Sequence, residues 1–194
     1  MREALRRLAA LGLVSFVPNR GVRVRTFSHD ELREAFLVRA ELESLATELA
    51  TPQMTEGDLA ALEEAERQFS QLTLELRDAT RAGSVPASLV AEWVHGNHSF
   101  HDVIYAVADV PYIERLAKSA RRTFFGKAVW AAGENIDRMY EENDLQHRAI
   151  CAAIAARNAQ GARVLAREHV LSSGRMLETI LEQVRERGAP DLGL

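Results

Sequence analysis

Three histidines offer the clearest chemistry in the chain. His101 lies in Asn97-His98-Ser99-Phe100-His101, His147 in Asp144-Leu145-Gln146-His147-Arg148-Ala149-Ile150, and His169 in Arg167-Glu168-His169-Val170. Asn97 and His101 are four residues apart, so on a helix they share one face. His147 and His169 fall beside the apolar positions Ile150, Ile154, Leu165 and Leu171, which turns them toward a helical interior. Helices that each aim one imidazole inward are how bundles build metal sites. Imidazole suits zinc, nickel, copper or iron, with spare positions left to water or a substrate. The three are far apart in sequence and match no local metal motif, so hydrogen-bonded core roles stay open for them.

Arg39 stands on the inner stripe of a helix beside Phe36 and Leu42. A buried guanidinium needs an anion. That anion is either a ligand carboxylate gripped bidentately or Glu43, one turn away. Arg121 and Arg122 are further carboxylate candidates. His98 is a spare ligand three residues from His101; it, His29 and His95 are expected to face outward. Cys151, among Ile150, Ala152 and Ala153, reads as a small buried residue. Trp93, Trp130, Phe124 and Phe125 read as core or pocket walls.

Helices must carry these side chains. Ser28 and Glu31 form a capping box for a helix to Ala50, with Leu32, Phe36, Arg39, Leu42, Leu45 and Leu49 at helical spacing. Thr55 and Asp58 open a second helix, ending near Arg81 before Ala82-Gly83-Ser84-Val85-Pro86. A third runs from about Pro86 to Ala108. Asp109 caps a fourth, with Pro111 in its first turn and Gly133 after it. A fifth spans about 134–157. Asn158 caps a sixth to about Arg187, which Ser172-Ser173-Gly174 bends or splits. The expected class is mainly α: an antiparallel bundle of six or seven helices over 28–187, then a flexible tail, 188–194. Residues 1–27 differ. Ala4, Leu5, Leu8 and Leu11 mark a short helix, and two β-prone runs flank Pro18-Asn19-Arg20-Gly21, a hairpin signal. Helix, strand, turn and strand make the back half of a winged helix.

The 194 residues carry a net charge of -4 and one cysteine. A disulfide-stapled fold is excluded, and no apolar run reaches the ~18 residues of a membrane span. The expectation is a soluble cytoplasmic protein with no membrane partner. Charge is unevenly spread: residues 1–27 hold six arginines against Glu3, while the remainder is acidic. A basic piece on an acidic body suggests nucleic-acid contact at one end.

Residues 1–27 resemble the end of the winged-helix domain of GntR-family transcriptional regulators. Arg2-Glu3-Ala4-Leu5-Arg6-Arg7-Leu8 with Gly12-Leu13-Val14 is similar to the recognition helix and wing start, and Pro18-Asn19-Arg20-Gly21-Val22-Arg23-Val24 to the wing tip. Residues 28–187 resemble the all-helical FCD effector-binding domain of the FadR-like branch. Val38-Arg39-Ala40-Glu41-Leu42-Glu43, Asn97-x-x-Phe100-His101, Gln146-His147-Arg148-Ala149-Ile150 and Arg167-Glu168-His169 carry that resemblance. It implies a homodimer whose helical domain binds a small carboxylic-acid effector over a divalent metal, zinc or nickel. His101, His147 and His169 are the implied ligands. For DNA it implies base contact by Arg2 and backbone or minor-groove contact by Arg20 and Gly21.

Asn97 departs from the family's aspartate, and a neutral amide is the poorer ligand. The site would then bind metal more weakly and draw an anionic effector to its open positions. Alternatively, metal is lost and the histidines bind the effector directly. Two other functions compete: a metal-dependent hydrolase on the three histidines, and a ligand-free dimerisation module. Against the hydrolase, Glu168 and Asp102 are expected to point away, leaving no general base. The chain begins inside the recognition-helix segment, so the natural start is expected upstream, with a genuinely short protein as the alternative. As given, the chain is expected to bind an operator poorly.

Overall fold

The computed structural model describes residues 2–10, 14–17, 21–24, 29–121 and 136–186. A short helix α1 (Arg2–Ala10) precedes strands β1 (Val14–Val17) and β2 (Gly21–Val24). The strands pair antiparallel, Val14 opposite Val24 and Val17 opposite Gly21. Gly21 takes φ +85°, a conformation that favours glycine. Six helices follow among the described residues: α2 (His29–Ala50), α3 (Glu56–Arg81), α4 (Ala87–Ala108), α5 (Pro111–Arg121), α6 (Ile136–Ala155) and α7 (Ala159–Glu186). Helix α2 packs on α7, α5 and α4, while α3 packs on α4 and α6, and α6 on α7. The mainly α architecture expected from sequence is the one observed.

Local signals explain several boundaries. Thr55 and Asp58 exchange both bonds of a capping box at the start of α3. Asn158 Oδ1 accepts from the Gly161 N–H at 2.9 Å, capping α7. Asp109 differs from expectation. It ends α4 in the left-handed region, φ 48°, and Pro111 is the first residue of α5. Helix α7 is continuous through Ser172-Ser173-Gly174. Gly174 serves packing there: a Cβ would meet the Phe36 ring at 2.8 Å. The Ser28 cap, Arg20, Arg122, Phe124, Phe125, Trp130, Gly133 and the tail lie outside the described residues.

The inward stripe of α2 also differs from expectation. Its buried residues are Leu32, Phe36, Arg39, Ala40, Glu43, Ala46, Thr47 and Ala50, whereas Leu49 is exposed. Small side chains lie inward where α2 is crowded by three neighbours. The apolar core falls into two clusters. One gathers Leu32, Phe36, Phe69, Trp93, Tyr140 and Leu177. The other gathers Ala46, Leu62, Phe100, Ile104, Ile150 and Ile154. On α2, α4, α6 and α7, the polar residues Arg39, Glu43, Asn97, His101, His147 and His169 occupy positions between or beside them.

Candidate metal centre

The bundle brings the three histidines together. One ring nitrogen from each of His101 (α4), His147 (α6) and His169 (α7) lies within 4.8 Å of the other two, and all three side chains are buried. The His147 ring stacks on Phe100, centroids 4.1 Å apart and 14° between planes. Phe69 covers it from a second side at 4.5 Å.

The surrounding hydrogen bonds assign the protons. Gln146 Nε2 donates to Ser172 Oγ at 2.8 Å, so its amide oxygen faces His169. His169 Nδ1–H donates to that oxygen at 2.9 Å, leaving a lone pair on Nε2. His147 Nε2 lies 3.3 Å from His169 Nε2. His147 Nδ1 has no partner. His101 Nδ1 lies 3.2 Å from Glu43 Oε2, and His101 Nε2 has no partner.

Burial keeps all three rings neutral. It is the largest cause in each case, and it pushes His169 down to about 4. His101 and His147 are held well below the usual range by burial, with His169 adding to the effect on both. Neutral imidazole is the ligating form.

Asn97 is also buried, one turn from His101, and its Oδ1 has no hydrogen-bond partner. A buried acceptor left open costs stability and implies a missing donor or cation. Three convergent nitrogen donors suit a divalent transition metal. The three imidazoles therefore fit such an ion, and among the described residues no carboxylate joins them.

A cavity of about 40 Å³ adjoins the centre, lined by Arg39, Asn97, His169, Asn143 and Ser173 with Phe36 and Trp93 among its apolar walls. Of the two expectations for Arg39, the internal pair with Glu43 is the one observed. Its Nε–H donates to Glu43 Oε1 at 2.9 Å, and the pair is buried. That is its one hydrogen bond among the described residues, and the side chain still lines the cavity. Arg121 is buried too, but it does not line this cavity. Its Nη2 reaches Asp102 at 3.5 Å and its Nη1 has no partner.

Other candidates lie elsewhere. Arg2 is exposed on α1 and Gly21 is exposed at the start of β2. His95 faces outward as expected. His98 does not: it is half-buried, and burial pushes it down to about 4. The side chain of His29 lies outside the described residues. Cys151 is buried, and its thiol is pushed up to about 11 by that burial. Glu168 is exposed and paired with Arg175, and Asp102 pairs with Lys118, so neither serves the centre as a base. Two residues went unnoticed as imidazole partners, Glu43 and Gln146. Gln146 had a signal, since it precedes His147 and can reach the next helix.

Comparison with known proteins identifies the family of the chain. The family pattern described as the FCD domain matches residues 34–172. The HTH-type transcriptional repressor GlaR of Escherichia coli K12 is 30% identical over 177 residues, covering 89% of this chain and 76% of the relative. Among solved structures, E. coli McbR/YncC has the same fold, with a TM-score of 0.68 at 24% identity over 92% of this chain and 83% of that one. A GntR-family transcriptional regulator from Pseudomonas syringae pv. tomato DC3000 gives a TM-score of 0.55 at 19% identity, over 96% and 71% of the two chains. These relatives are regulators rather than enzymes, which sets the hydrolase alternative aside. With the FCD pattern over most of its helices and this relative across most of its length, the chain belongs to the FCD-containing, FadR-like branch of the GntR family of transcriptional regulators.

Proposed function

We propose that the helical domain senses a small organic acid through a divalent metal held by His101, His147 and His169, with Asn97 as a weak fourth donor. One observation carries this reading: three neutral imidazoles converge beside a cavity that also presents Arg39 and the open Asn97 oxygen. When bound, the metal supplies a positive centre for a carboxylate. Arg39 supplies a second, since its Nε is committed to Glu43 while its terminal amino groups carry no hydrogen bond among the described residues. Among the described residues no carboxylate joins the three imidazoles, so an anionic ligand fills that role. The cavity is far below the ~300 Å³ of ordinary ligand pockets, so acid binding has to part its walls. Walls that move are the differential contact through which a ligand shifts a two-state protein.

The regulatory output rests on the family. Residues 1–27 form part of a winged-helix head, with Arg2, Arg20 and Gly21 toward DNA, and 28–187 form the sensor. Two chains pair, and the acid changes how their heads engage an operator. Such a protein acts in the cytoplasm; among the described residues no helix is long and apolar enough to cross a membrane.

Metal content tests the reading. Protein purified without chelator or nickel resin is expected to hold near-stoichiometric zinc or nickel, and His147→Ala to hold none. A thermal-shift screen of small carboxylic acids is expected to raise Tm only for the metal-loaded wild type. Absence of metal after reconstitution with both ions overturns the metal, and acids that stabilise the metal-free protein then make the histidines direct ligand donors. No response to any acid leaves a dimerisation module.

A further inference from the structure

We propose that Glu43 is a positioning residue that fixes His101 for metal binding and ties it to the acid-binding guanidinium of Arg39. Two donors face this one carboxylate. Arg39 Nε–H takes Oε1 at 2.9 Å. His101 Nδ1 stands 3.2 Å from Oε2, and no other group bonds that oxygen. The approach to His101 is short but off the line of a straight hydrogen bond. All three side chains are at least nine-tenths buried.

Only a carboxylate answers both donors. It has two accepting oxygens, whereas a glutamine would set its NH2 against one N–H or the other. With Nδ1 protonated toward Glu43, His101 turns the Nε2 lone pair to the centre, where that atom has no partner. A carboxylate behind a ligating imidazole also raises its basicity. Glu43 thereby lends at one remove the negative charge that Asn97 lacks. Helix α2 thus carries one carboxylate joined on one side to a cavity wall and on the other to an implied ligand. An acid that draws Arg39 toward itself disturbs the bond that orients His101. Metal affinity and acid affinity are therefore coupled through Glu43, and the coupling is reciprocal.

The metal half of this inference rests on the proposed function; the tautomer half does not. The test uses the full chain with labelled imidazoles. Long-range proton–nitrogen NMR of the metal-free wild type is expected to show His101 as the Nδ1–H tautomer, and Glu43→Gln to lose that preference. Zinc titration against a chromophoric chelator is expected to show 10- to 100-fold weaker binding in Glu43→Gln, the usual range for an outer partner of a metal ligand. Glu43→Asp is expected to recover part of that loss. An Nε2–H tautomer in the wild type overturns the proposal, and it does so without any variant if Glu43→Gln fails to fold. Equal zinc affinity in wild type and a folded Glu43→Gln also overturns it. Wild type that takes no zinc, yet shows a Glu43-dependent tautomer, supports the positioning role and overturns the metal reading alone.

Discussion

The apolar clusters and the polar layer beside them treat their polar atoms differently. Within the clusters the polar atoms are mostly paired. Trp93 Nε1 donates to Thr73 Oγ1 at 2.9 Å. In the layer, Asn97 Oδ1, His101 Nε2 and His147 Nδ1 are buried with no partner. Tyr105, whose hydroxyl is also unpaired, belongs electrostatically with the layer. Burial raises its pKa most, and the charges of Glu43, Arg121 and Arg39 all act on it. The clusters hold the helices together. The open atoms of the layer cost stability, and under the proposed function a bound ligand would restore it.

The sharpest way to break this comparison is to cut one region and read the other. Ile154 is fully buried in its cluster. Ile154→Ala is expected to cost about 2–5 kcal/mol, from lost burial plus the cavity left behind. The loss should be similar in chelator and in zinc, as measured by urea denaturation. His147→Leu reverses the pattern. It replaces a buried imidazole by an apolar side chain against Phe100 and Phe69 and gives up only the contact to His169 Nε2, so stability in chelator should fall by less than in Ile154→Ala. Zinc affinity should fall by more than ~100-fold, beyond what losing an outer partner costs. If His147→Leu unfolds the metal-free protein as Ile154→Ala does, the layer is structural and the distinction fails.

Acid provides the next largest effect. The three imidazoles are neutral in the folded protein, His169 down to about 4 against 6.5 in the unfolded chain. Between those values the unfolded chain binds a proton that the folded one refuses. Stability therefore falls as pH drops through 6.5 and levels off below about 4. His169 alone contributes on the order of 2 kcal/mol of loss at pH 5. His101 and His147 act in the same direction. Melting in chelator at pH 7.5 and 5 should show the drop in wild type and a smaller drop in His147→Leu. Equal drops would mean that His147 itself contributes nothing to the acid sensitivity.

The two regions were also unequally legible in the sequence. Caps such as Thr55 with Asp58 and Asn158 are local, because donor and acceptor lie within three residues of each other, and both were visible. The histidines were visible by type and by the turn they shared with apolar neighbours. Their partners were not. Whether Glu43 meets His101 depends on the rotation of α2 against α4, which no spacing within either helix encodes. The α2 stripe was misjudged for a related reason. Bulk marked Leu49 as inward, but close packing on three neighbours favours Ala46 and Ala50, while Leu42 packs against a cluster as expected. Gly174 looked like a bend because its partner, the Phe36 ring, is on another helix.

The smallest effect tests what Asn97 contributes. Asn97→Asp adds a carboxylate beside the histidines without changing volume much. Zinc affinity is expected to rise about tenfold, on the order of 1.4 kcal/mol, because an anionic oxygen is the better ligand. In chelator the same variant should be less stable at pH 7 than wild type, because it buries a charge where an amide oxygen was already unanswered. The response to acids should move the other way. With the ion partly neutralised by the protein, a carboxylate ligand gains less from it, and calorimetry on the zinc-loaded forms should show weaker binding to Asn97→Asp. Tighter zinc with unchanged acid affinity would mean that Arg39 alone grips the acid. Unchanged zinc affinity would place Asn97 outside the reach of the ion and make its open oxygen a cavity-wall acceptor for the acid.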